Sequence, residues 1–277
     1  MNDQTNTYPY LTKSYKDFYP FKIGTTSFIY PDLYVPNVRM LAPYVDEIEL
    51  LLFESGPVAS LLSKTVISDL KHLSHEFDLT YNIHLPTDIA ISDPNPDQRE
   101  STVFKLLNIL ERVACLCPTT CTLHVPFIGD GFIDEHVRKW RKNVYDSLVK
   151  ILKAGIVPPE RIAIETLDYT FELIEIVIAE LNLSICMDIG HLIIHDWDIQ
   201  AFFDKFAGAV AIIHLHGVQD GKDHMPLDRL PVSRLKPVFD ILKNFNGTVS
   251  IEVFDFKYLQ SSLDLLEIYW HNGSGRG

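Results

Sequence analysis

Positively charged residues are scarce in this sequence. Of its 277 residues, 24 are Lys or Arg and 37 are Asp or Glu, so the formal net charge is -13. Domains that bind DNA or RNA normally carry a basic patch or stripe, because the phosphate backbone is negatively charged. We therefore expect no nucleic-acid partner, although multivalent cations held by the acidic residues would reverse the charge locally.

Cysteine is scarce as well. Three of the four cysteines lie close together in "CLCPTTC" (Cys115, Cys117 and Cys121), and the fourth, Cys186, is far away in the sequence. This spacing fits neither a disulfide scaffold nor a paired zinc motif. Reduced, packed thiols of a cytoplasmic protein are the expected state.

Long apolar runs are missing too. The N-terminal segment contains none of signal-peptide length, and no later run reaches the roughly 18 residues of a membrane span. We therefore expect a cytoplasmic protein without a membrane partner. Residues 1–20 are predicted to be an N-terminal extension, and the final "NGSGRG" (272–277) a flexible tail.

What the sequence does contain is a regular alternation of short apolar segments with longer segments of helical period. Eight segments predict strands: "FKIGTTS", "DEIELLLF", "LTYNIHL", "TTCTLHV", "RIAIETL", "LSICMDI", "AVAIIHLHG" and "GTVSIEVF". Helical segments between them, such as residues 97–116 and 132–155, predict a parallel sheet. Eight strand-helix units in about 250 residues favour one closed (β/α)₈ barrel over residues 21–271. An open doubly wound sheet is the alternative, but "GTTSF" follows the first strand in place of a G-x-G-x-x-G loop.

Polar residues recur where the predicted strands end. In a (β/α)₈ barrel the functional site lies at the carboxyl ends of the strands. The residues at these ends, with two from the loop "QDGKDHMPL", are His84, His124, Glu165, Asp188, His191, His214, His216, Asp223, His224 and Glu252. A single histidine at a strand end is more often structural than a ligand, but six consecutive strands with such ends predict a functional site.

Imidazoles and carboxylates at one rim are ligands for divalent cations. One ion needs three or four protein ligands, so eight or nine donors predict two or three ions. Glu165 and Asp188, on adjacent strands, are the expected bridging residues. Zn²⁺ and Mn²⁺ are the favoured ions, although Fe²⁺ and Co²⁺ suit the same ligands.

The order of these residues resembles the xylose isomerase-like TIM barrel superfamily, in particular its endonuclease IV branch, over about residues 21–270. The resemblance implies a trinuclear metal cluster that hydrolyses phosphodiesters. The implied ligands are His84, His124, Glu165, Asp188, His191, His214 and Glu252. Where the endonuclease has an Asp-x-His pair, this sequence has "KDH", so His224 is the equivalent histidine and Asp223 is left open as a ligand.

A narrower resemblance is to the cobamide-remodelling phosphodiesterases of the CbiR type. It depends on the opening segment "IGTTSFIYPDLYVPNVRMLAPYVDEIELLLFE" and on "DIGH", "HLHG" and "GKDH". It implies that the substrate is a cobamide, a corrinoid whose nucleotide-loop phosphodiester is hydrolysed. Glu165, shared between two ions, would then be the catalytic residue that orients the attacking water.

Substrate contacts are predicted near the same strand ends. Glu49 and Glu54 are candidates, with a solvated acidic rim as the alternative, and Lys222 could meet a phosphate oxygen. Tyr30, Phe127 and Trp197 could line a wide mouth, and His216 is a further candidate for the substrate or for a metal.

Three other functions stay open at this point. A sugar isomerase or epimerase would use one divalent metal on Glu165, Asp188, His214 and Glu252, and would not need the further histidines. An endonuclease IV-like hydrolase would use the full set of ligands on DNA. A non-catalytic metal- or corrinoid-binding module would need a closed coordination shell, and the oligomeric state is open in every case.

Overall fold

The computed structural model describes residues 8–52 and 62–274, and within them it shows a closed barrel of eight parallel strands. All eight predicted strands are confirmed. They are β1 (Lys22–Thr26), β2 (Glu47–Leu51), β3 (Thr80–His84), β4 (Cys121–Leu123), β5 (Ile162–Glu165), β6 (Ser184–Asp188), β7 (Val210–Leu215) and β10 (Thr248–Ile251). Consecutive strands are neighbours, and β10 closes the barrel between β7 and β1.

Helices follow the strands on the outside of the barrel. They are α1 (Tyr34–Leu41), α2 (Lys64–Phe77), α3 (Pro96–Val113), α4 (Asp134–Lys153), α5 (Glu175–Leu181), α6 (Ile189–Ile194), α7 (Ile199–Phe206), α8 (Val232–Leu242) and α9 (Phe256–Ser274). Four 3₁₀ turns, at Ala114–Leu116, Pro159–Arg161, Phe171–Leu173 and Leu227–Arg229, connect some of them. The helices predicted over residues 97–116 and 132–155 correspond to α3 and α4.

Two features depart from simple alternation, and both concern the predicted site. Strand β6 runs directly into the short α6, because the Asp188 side chain caps that helix by accepting a hydrogen bond from the His191 amide at 2.7 Å. After β7, an antiparallel hairpin forms from β8 (Gly217–Gln219) and β9 (Lys222–Met225). The sequence pattern predicted a loop there.

Strand register determines which polar residues share a level of the barrel. Asp188 pairs with His214, and Leu51 pairs with His84. Glu165 lies beside Cys186. Because all strands are parallel, these residues reach the same rim, as a site at the carboxyl ends requires.

The main core lies between the strands and the surrounding helices, where Ile48, Ile83 and Trp140 are fully buried. A small separate cluster of Ala163, Cys186 and Ile212 packs together below the polar rim. Burial of such aliphatic and aromatic side chains supplies the dominant favourable free energy of folding.

The described part of the N-terminal extension packs on the barrel. Leu11 and Tyr15 are buried, and the Tyr15 amide donates a hydrogen bond to the Tyr44 carbonyl at 2.8 Å. At the other end, α9 continues to Ser274, three residues into the segment predicted as a tail, because extending an existing helix costs little. Within the described ranges, no helix is both long enough and apolar enough to cross a membrane.

Candidate metal centre

Glu165, at the end of β5, is the carboxylate on which the predicted ligands converge. Its Oε2 atom lies 2.7 Å from Nε2 of His124 and 3.2 Å from Nε2 of His84. These three side chains place one ligand atom each within 4.8 Å of one another. They form the first group of donors, which we call group A.

A second group, group B, shares Glu165 with group A. It adds Asp188, His214 and Glu252, and its four ligand atoms again lie within 4.8 Å of one another. Nδ1 of His214 is 3.1 Å from Oε2 of Glu252 and 3.5 Å from Oε1 of Glu165. All four side chains are buried, so any charge that they bind is well shielded from solvent.

A third group, group C, consists of His191 on α6 and the hairpin residues Asp223 and His224. Oδ2 of Asp223 lies 3.8 Å from Nε2 of His191 and 3.9 Å from Nε2 of His224. Asp223, which the sequence left open as a ligand, therefore faces both histidines. Groups A, B and C together contain every residue predicted as a metal ligand.

The histidine tautomers fit metal binding. Nδ1 of His84 lies 3.0 Å from the Leu85 carbonyl, Nδ1 of His191 lies 2.9 Å from the Thr166 carbonyl, and Nδ1 of His224 lies 3.2 Å from the Glu252 carbonyl. Donation to a carbonyl requires a proton on Nδ1, so Nε2 is the nitrogen that faces the carboxylates and that would bind a cation once it has lost its own proton.

Several buried donors also have no hydrogen-bond partner among the described residues. They include Nε2 of His124, Nδ1 of His214 and Oε2 of Glu252. Buried polar atoms are nearly always satisfied, so atoms that lie close together without hydrogen-bond geometry need another partner. Divalent cations bound within groups A and B would satisfy these atoms, and the residues present therefore fit the two or three ions that the sequence predicts.

Electrostatics in the metal-free protein points the same way. Burial disfavours the charged form of Glu165, but the neighbouring His124 outweighs this and holds the pKa of Glu165 well below its usual range. Burial also disfavours a charged His84, yet its hydrogen bond with Glu165 raises its pKa to about 9. Without metal, protons on the imidazoles neutralise the carboxylates, and a bound cation would replace those protons.

Glu49 has a different position from the one predicted. The sequence suggested a substrate contact, but its side chain is fully buried, with Oε1 3.0 Å from Nε2 of His214. Its Oε2 accepts a hydrogen bond from Ser250 at 2.6 Å. Glu49 faces inward because it shares the inner face of β2 with Glu47, so we reassign it to the support of His214.

The other predicted substrate residues are dispersed. Tyr30 is buried and donates its hydroxyl to the Pro9 carbonyl at 2.8 Å, so it does not present its hydroxyl to a ligand. Lys222 is exposed next to the hairpin turn and is not among the residues lining the central cavity. His216 is buried beside Asp188, and Glu54 lies outside the described residues.

A cavity of about 340 Å³ opens over the three groups. Its described lining combines candidate ligands with apolar residues and one threonine: Leu51, Leu52, His84, Thr87, His124, Glu165, His191, Asp223, His224, Glu252 and Phe254. Phe254 also borders a second, more open depression of about 730 Å³ formed with residues 28–33 and Asp255. Of the aromatic residues expected at the mouth, Phe127 instead packs against Phe132 and Trp140, and Trp197 stacks on His195.

Sequence reasoning missed several residues that shape the centre. Thr166 accepts a hydrogen bond from the Asp188 amide through Oγ1 at 2.9 Å, in addition to holding His191. Cys186 lies within ligand distance of Glu165 and His214, and burial raises the pKa of its thiol. The small residue in "DIGH", Gly190, was the one visible signal of close packing in this region.

Comparison with solved structures shows how widely this fold is used. A D-tagatose 3-epimerase-like protein superposes with a TM-score of 0.76 at 20% identity, covering 91% of this chain and 97% of its own. Endonuclease IV from Thermus thermophilus gives 0.69 at 18% identity, with 91% and 99% covered. D-psicose 3-epimerase from Clostridium cellulolyticum, with D-tagatose, gives 0.66 at 17% identity, with 90% and 99% covered.

Sequence comparison adds the family. No curated protein sequence matches the chain. Residues 45–269, from the strand β2 region to α9, match the family described as xylose isomerase-like TIM barrel. The epimerases and the endonuclease compared above share their fold with this chain. Because the match covers well over half of the sequence, this chain belongs to the xylose isomerase-like TIM barrel family.

Proposed function

We propose that this protein is a metal-dependent phosphodiesterase that hydrolyses the nucleotide-loop phosphodiester of cobamides. The observation that carries the proposal is the existence of groups A and C beside group B. Group B alone would satisfy one ion. Two further sets of histidine and carboxylate donors around the same cavity support a multinuclear centre, which suits a negatively charged phosphodiester better than a neutral sugar.

Bound divalent ions would neutralise the phosphodiester charge, make water a stronger nucleophile and stabilise the leaving alkoxide. Glu165 would hold groups A and B at a fixed separation through its two carboxylate oxygens. Asp223 and His224, on the partly exposed hairpin, would close the centre from the solvent side. Leu52 and Phe254 would exclude bulk water from the reacting phosphate.

The cavity lining supports a phosphodiester with a bulky, uncharged remainder. No Lys or Arg occurs among the described lining residues of the cavity or of the adjoining depression. DNA binding needs many cationic contacts, whereas a corrin attached to one phosphate needs space and apolar surface. The depression bordered by Phe254 offers such space next to the ligands.

A second function is supported by a specific observation. Group B, in which Glu165 and Glu252 both lie near Nδ1 of His214, would by itself suit the single metal of a sugar epimerase, and two of the structures compared above carry epimerase names. Two glutamates could then serve as acid and base. Such an enzyme would not need His84 and His124 as metal ligands.

The test is to incubate metal-loaded protein separately with a complete cobamide, with DNA containing an abasic site and with a ketohexose. We expect the α-riboside to be released from the cobamide, while the DNA and the sugar stay unchanged. The same protein treated with a chelator is the control. Nicking of the DNA at a comparable rate would favour an endonuclease, and conversion of the sugar alone would favour the epimerase.

A further inference from the structure

His216 connects a group B ligand with the hairpin that carries group C. Its Nε2 atom lies 3.2 Å from both carboxylate oxygens of Asp188. On the other side of the ring, the backbone amide of His224 donates a hydrogen bond to Nδ1 at 3.0 Å. The side chain is completely buried, and its ring centroid is 4.5 Å from that of His224.

These contacts leave His216 without a lone pair for an ion. The amide of His224 can only donate, so Nδ1 of His216 accepts and Nε2 carries the proton that faces Asp188. If Nδ1 instead bore a proton and donated to the Gly217 carbonyl, 3.1 Å away, the carboxylate would still require a proton on Nε2. In both states neither nitrogen is free to bind metal, although His216 lies near enough to His224 and Glu252 to suggest a ligand.

Gly190 makes room for this arrangement. A Cβ atom built on Gly190 would lie 1.9 Å from Cε1 of His216, far inside van der Waals contact. Any other residue in the third position of "DIGH" would displace the imidazole from Asp188. The motif therefore encodes a ligand, Asp188, together with the space for the ring that holds it.

The hairpin needs such an anchor. His224 has a left-handed backbone, with φ of +51°, which costs free energy for a residue with a side chain. Asp223 is partly exposed, and the antiparallel pairing of β8 with β9 is irregular between Gly217 and Gln219. The contact between the His224 amide and the buried His216 ring connects this short hairpin to the rigid end of β7.

We propose that His216 is a positioning residue that fixes the group C ligands relative to Asp188 and so creates the binding site of a third ion. The inference rests on the metal centre of the proposed function and is independent of its substrate. Removal of the imidazole should leave groups A and B with their own ligands but allow the hairpin to move. The third ion should then bind more weakly, while the other two stay.

The experiment is a titration of metal-free protein with Zn²⁺, with metal content per chain measured by mass spectrometry. We expect His216→Ala and Gly190→Ala to weaken binding of one of three ions by about 10- to 100-fold, as is typical when a residue behind a metal ligand is lost. Gly208→Ala is the matched control, because a Cβ at Gly208 meets nothing within 4 Å. It should bind as the wild type does.

His216→Asn provides a variant that changes the packing less. Its amide oxygen can accept from the His224 amide but cannot reach Asp188, so it should bind the third ion more tightly than His216→Ala. When the same variants are loaded with cobalt, the visible absorption of one of the three ions should change, and the change should be larger in His216→Ala than in His216→Asn. The circular dichroism spectrum of each metal-free variant establishes that it is folded.

The inference would be overturned if both His216→Ala and Gly190→Ala bound three ions with wild-type affinity. It would also be overturned if a metal-loaded structure showed a His216 nitrogen coordinated to an ion, or if the wild-type protein held fewer than three ions. The last result would leave the cobamide assay unaffected. Conversely, intact cobamide after incubation with protein that holds three ions would reject the proposed function and leave this inference standing.

Discussion

Glu165 is the residue that joins two of the donor groups. Its Oε2 atom faces His84 and His124, and its Oε1 atom faces His214. Both oxygens can face histidines because the side chain is 1% exposed and lies between these neighbours. The chemical distinction that matters is between a carboxylate, whose two oxygens share a negative charge, and an isostere such as an amide, which has one neutral oxygen.

Replacement of Glu165 with Gln should preserve the fold but reduce phosphodiester hydrolysis by at least about 100-fold, a loss typical for groups that contact developing charge. The amide offers one oxygen and one nitrogen that cannot bind a cation, so it cannot be shared between two ions. The measurement is the initial rate of cobamide hydrolysis with metal content per chain. His72→Ala, at an exposed position on α2, is the control and should be fully active. An unchanged rate in Glu165→Gln would remove Glu165 from the mechanism.

Individual helices of the barrel are stabilised by local capping as well as by packing. Helix α7 begins after Asp198, whose Oδ1 atom accepts hydrogen bonds from the Gln200 and Ala201 amides, each at 3.0 Å. Its apolar face buries Phe203 and Phe206 against the barrel. Because α7 follows α6 and precedes β7, its end determines where the His214 strand begins.

We expect Asp198→Ala to lower the free energy of unfolding by about 1 kcal/mol, since two amides at the helix start lose their acceptor. Urea unfolding followed by circular dichroism measures this difference. Asp204→Ala, on the same helix, is the control because Asp204 is exposed and contacts the Gln200 side chain. Its effect should be much smaller, and an equal loss in both variants would contradict the capping argument.

The whole molecule carries a formal charge of -13, and part of that charge is concentrated at one end of the barrel. Buried carboxylates there are compensated by imidazoles. Burial opposes a charged His84, but its hydrogen bond with the Glu165 carboxylate outweighs burial and raises the pKa of His84 to about 9. Stability and metal binding must therefore depend on pH in opposite directions.

A histidine whose pKa rises from about 6.5 in the unfolded chain to about 9 in the folded one stabilises the metal-free fold below pH about 6.5. That contribution is lost as the pH rises toward 9. A metal bound at His84 would require the deprotonated imidazole, so the affinity for metal should increase over the same pH range. We expect the melting temperature of metal-free protein to fall between pH 6.5 and 8.5. At a fixed free Zn²⁺ concentration, the increase in melting temperature caused by the metal should become larger as the pH rises over the same range. A metal-induced increase that becomes smaller as the pH rises would contradict this prediction.

The pattern of the sequence is enough to predict the barrel and the level of the barrel at which the candidate ligands lie. Eight apolar segments with strand period, each followed by a helical segment, leave a parallel closed sheet as the simplest way to bury them. Because the carboxyl ends of parallel strands meet at one rim, the position of His84, Glu165 and Glu252 at strand ends was enough to bring them together.

The direction and the neighbours of individual side chains, in contrast, depend on how the elements pack in three dimensions. Glu49 turns inward into packed surroundings, and β8 with β9 forms a hairpin that brings Asp223 next to His191. The reason is physical: hydrophobic period gives the spacing of strands along the chain, whereas side-chain contacts depend on strand register and on steric room between elements. At Gly190, the His216 ring occupies the space that a Cβ atom would need, and no pattern along the sequence shows this contact.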